Sequence, residues 1–357
     1  MILKSIQIQD LRNIEQAKIE FNNRFNVIYG ENGSGKTSLL EGIYLLSSGK
    51  SFRTSNTNKI VKQGADSFTL FGRTTQPTEA TIGLQKSSKH KTIKINGETQ
   101  NSAINLAKSL PTLIVTQDSQ KLIDAGPQVR REFLDWGLFH VKHDFFNVWR
   151  AYRKILKQRN TALSLRSSRS ELDAWNIGLA ELGEKYSDYR SNYVDELSPY
   201  FKEYSSLLLN EQSFNLKYKK GWSKELNLLK CLSSQYERDI ITGRTEYGPH
   251  RADFLITQDE TDCKDRVSRG QQKLLVYSLY LSQIAYVKNS VGTDTLLLLD
   301  DLGSELDLNH ATKLLKLLQE RFTQVCITTA NLESLPLEQL QDVKLFHVKH
   351  GTFESTN

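Results

Sequence analysis

The chain has 357 residues, of which 25% are charged and 38% apolar, with six prolines and a formal net charge of +6. That balance excludes wholesale disorder and fibrous repeats. The longest aliphatic run, Leu296–Leu299, is far short of the ~20 apolar residues a membrane helix needs. The opening MILKSIQIQD has no basic segment followed by an apolar stretch, so no secretory signal is expected. Cys231, Cys263 and Cys326 are odd in number and widely spaced. They read as buried or incidental thiols of a cytoplasmic protein, not as a disulfide framework or a zinc site.

In chain order, Ser5–Ile8 and Ala17–Phe21 read as strands, and Phe25-Asn-Val-Ile-Tyr as a strand running straight into Gly30. After Lys36 the period changes: Leu39, Leu40, Ile43, Tyr44 and Leu46 fall on one side of a helix. Strand-like runs follow at Phe68–Phe71, Ala80–Leu84, Thr92–Ile95 and Thr112–Val115. Residues 128–245 are rich in Leu, Arg, Lys, Glu and Tyr and predict long helices broken near Ser164–Ser170 and Gly221. Strand character returns at Phe254–Thr257. A helix from Gln271 to about Lys288 is expected to bury a stripe of Leu274, Ser278, Leu281 and Ala285. Thr295–Leu299 reads as a buried strand, Ala311–Phe322 as a helix and Val325–Thr329 as another strand.

Gly30-Glu31-Asn32-Gly33-Ser34-Gly35-Lys36-Thr37, followed by Ser38, fits the pattern G-x-x-x-x-G-K-T between a strand and a helix. Glycines let backbone amides turn inward as a nest for phosphate oxygens, and the next helix adds its N-terminal partial charge. In such a loop Lys36 reaches the outer phosphates and Thr37 sits on Mg²⁺. The acidic partner is Asp300, which leaves the end of Leu296–Leu299 beside Asp301. Asp301 stands where a general base orients water. Thr37 and Asp300 are too far apart in sequence for one simple βαβ series. An insertion is therefore expected between two parts of one core: 1–127, an inserted basic helical part at 128–245, and 246–357.

Ser268-Arg-Gly270-Gln-Gln-Lys opens a helix before the aspartate strand. It resembles the signature motif of the ATP-binding-cassette superfamily, with Arg269 in place of the commoner Gly. In that superfamily the signature Ser and Gly of one subunit meet the γ-phosphate held by another. Ser268 with Gln271 also satisfies a capping box, and the two readings are compatible. Ser304-Glu-Leu-Asp307 is similar to the superfamily's interface loop and equally fits a helix start. Gln117 is the candidate sensor of metal and water. No histidine follows Val325-Cys-Ile-Thr-Thr-Ala, so Thr328 or Thr329 stands where the superfamily has its switch residue.

Taken with Leu11-Arg-Asn, Gly49-Lys-Ser-Phe-Arg53-Thr, Gly126-Pro-Gln-Val-Arg130-Arg131-Glu-Phe-Leu-Asp135 and Tyr247-Gly-Pro-His250-Arg251-Ala-Asp253, these motifs resemble the RecF family of recombination-repair ATPases, related to SMC and Rad50 heads, along the whole chain. The resemblance implies an α/β fold: an ABC-type P-loop core with a β-rich N-terminal part and an inserted helical short arm. It implies ATP and Mg²⁺, an ATP-dependent homodimer, slow hydrolysis from an Asp301 shorter than the usual Glu, and binding to double-stranded and gapped DNA. It further implies action with RecR and RecO, and through them on RecA loading. By the same likeness Arg12 and Asn13 contact base or ribose, and Arg53 lies near the phosphates.

The residues supply their own motive for DNA. From Lys142 to Arg169 stand eight basic residues and one acid, Asp144, a local charge of +7 that leaves the rest nearly neutral. Arg150, Arg153, Lys154 and Lys157 share one helix face and are the candidate phosphate contacts, while Trp149 and Tyr152 read as core. A transporter subunit would not need so long an interval between Gln117 and Ser268. An SMC arm would need hundreds of heptad residues. His250 is read two ways, as a salt-bridged corner or as a nucleotide sensor.

Overall fold

The computed structural model describes residues 2–75, 79–210, 213–264 and 266–356. The chain folds into two compact units, one of residues 1–119 with 292–357 and one of 120–291.

The first unit contains two six-stranded sheets. One is antiparallel, in the order Ile14–Glu20, Ile2–Leu11, Ser67–Thr75, Ala80–Ser87, Lys91–Ile95, Glu98–Thr99. The other runs Thr352–Thr356, Val343–Lys349, Phe25–Tyr29, Val325–Thr329, Leu296–Leu299, Thr112–Val115, and all its pairings are parallel except the last hairpin. Its inner strands Leu296–Leu299 and Val325–Thr329 are buried at every residue, as strands covered on both faces must be. The helix Lys36–Ser48 packs on strands of both sheets. One core joins its Leu39, Leu40 and Ile43 to Ile6, Ile8 and Leu70 of the first sheet and Ile28, Leu298 and Val348 of the second. The fold is α/β, as expected.

The second unit is mainly helical: Pro127–Val141, Phe145–Ser164, the 40-residue Arg169–Leu208, and Arg269–Val291. Ser168 caps the long helix by accepting from Glu171 N, which explains the break in the basic segment. Three readings are corrected here. Asn215–Lys219 is a strand of a three-stranded sheet with Asp253–Gln258 and Thr261–Asp262, inside a stretch expected to be helical. Its alternation of buried Leu216 with exposed Asn215 and Lys217 is too short to stand out. Arg269–Val291 buries most of its surface and not a single stripe, and Ala285 is only half-buried. The cause is packing against both Arg169–Leu208 and Pro127–Val141. For the same reason residues 246–291 cluster with the helical unit, so the units part at 119/120 and 291/292 and not at 127/128 and 245/246.

All three cysteines are buried and free. Among the described residues no helix is long and apolar enough to cross a membrane.

Candidate functional site

The loop Gly30–Thr37 leaves the strand Phe25–Tyr29 and enters the helix at Lys36. Gly30 has φ 151°, and a Cβ there would lie 2.3 Å from the Val348 carbonyl oxygen. No other residue fits without moving the backbone. Asn13 and Gly351 hold the loop from outside. Asn13 Nδ2 donates to Gly33 O at 3.2 Å, Ser38 Oγ donates to Asn13 Oδ1 at 2.8 Å, and Gly351 N donates to Ser34 O at 2.7 Å. Lys36 Nζ donates to the carbonyls of Gly30 at 2.6 Å and Glu31 at 2.9 Å. Burial lowers its pKa, and the charges of Asp301 and Asp300 oppose that shift.

Four buried leucines deliver Asp300 and Asp301 to the same place. Thr37 Oγ1 donates to Asp300 Oδ1 at 3.0 Å, and Thr328 Oγ1 donates to the same oxygen at 2.8 Å. Burial raises the Asp300 pKa against these two hydrogen bonds. Asp301 sits at φ 55°, a left-handed conformation that a short acid tolerates. Its N–H donates to Thr328 Oγ1 at 2.8 Å, and Ser304 Oγ donates to its Oδ2 at 2.7 Å. Its Oδ1 is buried without a partner. Of the two threonines left open, Thr328 is therefore the one tied to both aspartates, while Thr329 donates to Asn331 O at 2.9 Å. Asp307 caps Leu308–Arg321, so within Ser304–Asp307 one residue serves the acid and another the helix.

These groups line a cavity of about 340 Å³, together with Asn32, Gly33, Arg53 and Gln117, within the range of small-ligand sites. Thr37 and Asp300 offer oxygen donors for a hard cation. Among the described residues no group of three His, Cys, Asp or Glu side chains could hold a metal ion, so Thr37 and Asp300 would share a cation with water or a bound phosphate. That suits Mg²⁺, which is usually held by one or two protein groups plus substrate.

Arg12 is not among the residues lining this cavity. Its guanidinium pairs with Glu41, Nε to Oε2 at 2.8 Å and Nη2 to Oε1 at 2.8 Å. Asn13 braces the loop instead of facing the cavity. Arg12 and Asn13, read by likeness as contacts of base or ribose, thus make protein contacts beside the loop, with Asn13 exposed. Glu41 belongs to the Leu39-Leu-Glu run that adds to the family resemblance, but the sequence assigns it no role: in a helix read by its apolar spacing it looks like one more polar position, yet it is 0% exposed.

In the helical unit, Ser268 and Gln271 form the reciprocal capping box, with Gln271 N donating to Ser268 Oγ at 3.3 Å and Ser268 N donating to Gln271 Oε1 at 2.8 Å. Ser268, Arg269 and Gly270 are exposed. A Cβ on Gly270 would meet only Ser268 Oγ, at 3.9 Å, so packing within the described chain does not demand glycine there. Arg150, Arg153, Lys154 and Lys157 are exposed on Phe145–Ser164, with Arg153 over the Trp149 ring at 4.9 Å and Arg150 over Phe146 at 5.6 Å. Arg159 of the same run is fully buried and bound to Asn176, Asp239 and Thr245.

His250 Nε2–H donates to Thr245 O at 2.9 Å, and its Nδ1 accepts from the Tyr152 hydroxyl at 2.7 Å. Burial pushes its pKa down to about 4. Arg130 grips Asp253 with two bonds and Arg190 grips Asp135 with two. Of the two readings of His250, the structural corner is the one these contacts describe.

Residues 2–353 match the family described as RecF/RecN/SMC N terminal domain. A protein of Hydrogenovibrio crunogenus named DNA replication and repair protein RecF is 36% identical over 349 residues, 97% of this chain and 96% of that one. One of Proteus mirabilis with the same name is 38% identical over 363 residues, 99% of each. A solved structure described as the recombination mediator protein RecF-ATPrS in the RecFOR pathway matches with a TM-score of 0.88 at 28% identity, over 99% of this chain and 98% of that one. An Smc head bound to the C-winged helix domain of ScpA matches at 0.61 and 14% identity, over 100% and 97%, a likeness of fold.

Proposed function

The chain belongs to the RecF family of DNA replication and repair proteins, within the wider RecF/RecN/SMC group, and we propose that it is an ATP-driven switch that dimerises around nucleotide and binds DNA. One observation carries the reading: Asp301, whose Oδ1 is buried without a partner, lines the same cavity as Lys36, Thr37 and Asp300. An orphaned buried acceptor costs about 1–3 kcal/mol, which a bound water with its substrate would offset.

In this reading ATP places its phosphates in the nest of Gly30–Ser38, and Lys36 Nζ exchanges the Gly30 and Glu31 carbonyls for phosphate oxygens. Thr37 and Asp300 would hold Mg²⁺, which would supply positive charge to neutralise the phosphates. The Asp301 carboxylate orients the attacking water, assisted by Gln117, and Thr328 keeps both aspartates aligned. The shorter reach of Asp301 than of a glutamate suits slow hydrolysis. Ser268–Gly270 of a second copy closes the γ-phosphate side, which accounts for a glycine that the described chain does not need. Hydrolysis releases the pair.

The DNA reading rests on Arg150, Arg153, Lys154 and Lys157, exposed on one helix face. The finer role also belongs to this proposal: DNA-stimulated hydrolysis, engagement of duplex at single-strand gaps, and work with RecO and RecR that ends in RecA loading in the nucleoid. The solved relative is described within the RecFOR pathway, which supports it.

Sedimentation with and without ATP tests the core of the reading. Unaltered protein dimerises on ATP. Lys36→Met loses nucleotide binding or tight closure. Ser268→Arg binds ATP and stays monomeric, and a normal dimer of Ser268→Arg would remove the signature from the interface.

A further inference from the structure

Glu41 lies one helical turn beyond Thr37 and is fully buried, and three side chains gather at its carboxylate. Arg12 takes one oxygen with each of two nitrogens, both at 2.8 Å. The Ser51 hydroxyl donates to Oε1. Arg53 Nη1 stands 3.7 Å from Oε2, beyond a hydrogen bond. The two guanidinium groups are not equivalent. The Arg12 side chain is 19% exposed and also donates to the Lys59 carbonyl. The Arg53 side chain is 47% exposed and lines the phosphate cavity.

Two cations on one carboxylate leave one positive charge in surplus. A loose, solvated pair such as Arg53–Glu41 holds weakly, whereas an arginine meeting a phosphate can form paired charge-assisted bonds. Departure of Arg53 would leave Glu41 still paired with Arg12, so no buried charge is stranded. Ser51 fixes the pivot: the hydroxyl that donates to Glu41 also accepts the backbone N–H groups of Arg53 at 2.9 Å and Thr54 at 3.1 Å. The turn carrying Arg53 is thus bolted to the helix that begins at the phosphate loop.

We infer that Glu41 and Ser51 are positioning residues that hold Arg53 in reserve beside the cavity and aim its guanidinium at the outer phosphates of bound nucleotide. This rests on the nucleotide reading above and adds to it a device that acts through Arg53 without touching the ligand.

The test uses the full chain with ATP, and measures equilibrium binding, kcat and KM for hydrolysis, and thermal melting. Ser51→Ala should bind ATP within about threefold of the unaltered protein and lose roughly tenfold in kcat, since loss of alignment acts on the transition state more than on the ground state. Ser51→Thr, which keeps the hydroxyl, should recover most of that loss. Ser51→Ala with Arg53→Ala should be no slower than Arg53→Ala alone, because both changes remove one function. If Ser51→Ala melts early, Ser51→Cys keeps the volume while weakening the bonds, and it carries the same expectation. An unchanged kcat in these variants, or losses that simply multiply in the double variant, would overturn the inference while ATP binding by the unaltered protein leaves the nucleotide reading intact. Absence of ATP binding by the unaltered protein would overturn both.

Discussion

Asp135 and Asp301 are both largely enclosed carboxylates, and they are treated in opposite ways. Asp135, in the helical unit, receives Arg190 on both oxygens and the Tyr186 hydroxyl at 2.7 Å. Asp301, in the α/β unit, has one oxygen on Ser304 and one on nothing. A saturated buried acid specifies a fold, and an unsaturated one waits for a ligand. The same contrast separates Arg190, enclosed by Asp135, Tyr186 and the Pro249 carbonyl, from Lys36, which rests on two loop carbonyls.

The largest expected effect is on the saturated member. Asp135→Ala leaves the buried Arg190 charge without its counter-ion, which costs about 3–5 kcal/mol. Urea unfolding should show that loss, or the protein should fail to accumulate. An unaltered midpoint would mean that Asp135 is not the keystone described here. Asp301→Asn should do the reverse. Asparagine keeps the left-handed backbone and the Ser304 contact, so the melt should hardly move, while hydrolysis falls about 10²–10⁴-fold as expected for loss of a general base. Single-turnover hydrolysis decides it, and a normal rate would move the base elsewhere.

What could be read in the sequence follows the same division. The phosphate loop and the aspartate strand are contiguous runs whose chemistry and period agree, so Gly30–Ser38, Asp300 and the strands around them were visible. The capping box at Ser268 was visible for the same reason. Glu41 was not, because its meaning comes from residues 12, 51 and 53, which converge only in the fold. The role of Thr328 likewise depends on two neighbouring parallel strands. The boundary near 291 was hidden because Arg269–Val291 has the composition of a core helix and nothing in that composition says whose core it joins. The strand Asn215–Lys219 was hidden by brevity.

Two buried histidines of the helical unit also predict a pH dependence, His250 with both ring nitrogens bonded and His140 with Nε2 unpaired. His250 and His140 are each pushed by burial from 6.5 to about 4. Between those values the unfolded chain binds more protons than the folded one, so stability is present above pH 6.5 and is lost as pH falls toward 4. The loss should be roughly 1–3 kcal/mol per histidine. His250→Gln should flatten its share of the slope in urea midpoints measured across that window. A slope of the other sign would mean that His250 carries a proton in the folded protein.

The smallest effect concerns one helix on which both treatments occur. Arg159 is saturated and buried, while Arg153 and Lys154, one to two turns earlier, are exposed. If the exposed pair meets DNA phosphates, Arg153→Ala with Lys154→Ala should lower the log–log salt slope of duplex binding by about 2, near 0.9 per lost contact. Melting should hardly change, because neither side chain has a buried partner. Arg159→Leu should give the opposite result, an unaltered salt slope with a lower melting temperature, since it strips Asp239 of its counter-ion. Filter binding at several salt concentrations, read beside a melt of each variant, separates the two. A slope indifferent to Arg153 and Lys154 would take this helix face out of DNA contact, and a slope that fell in Arg159→Leu would show that the run acts through its summed charge and not through its exposed face.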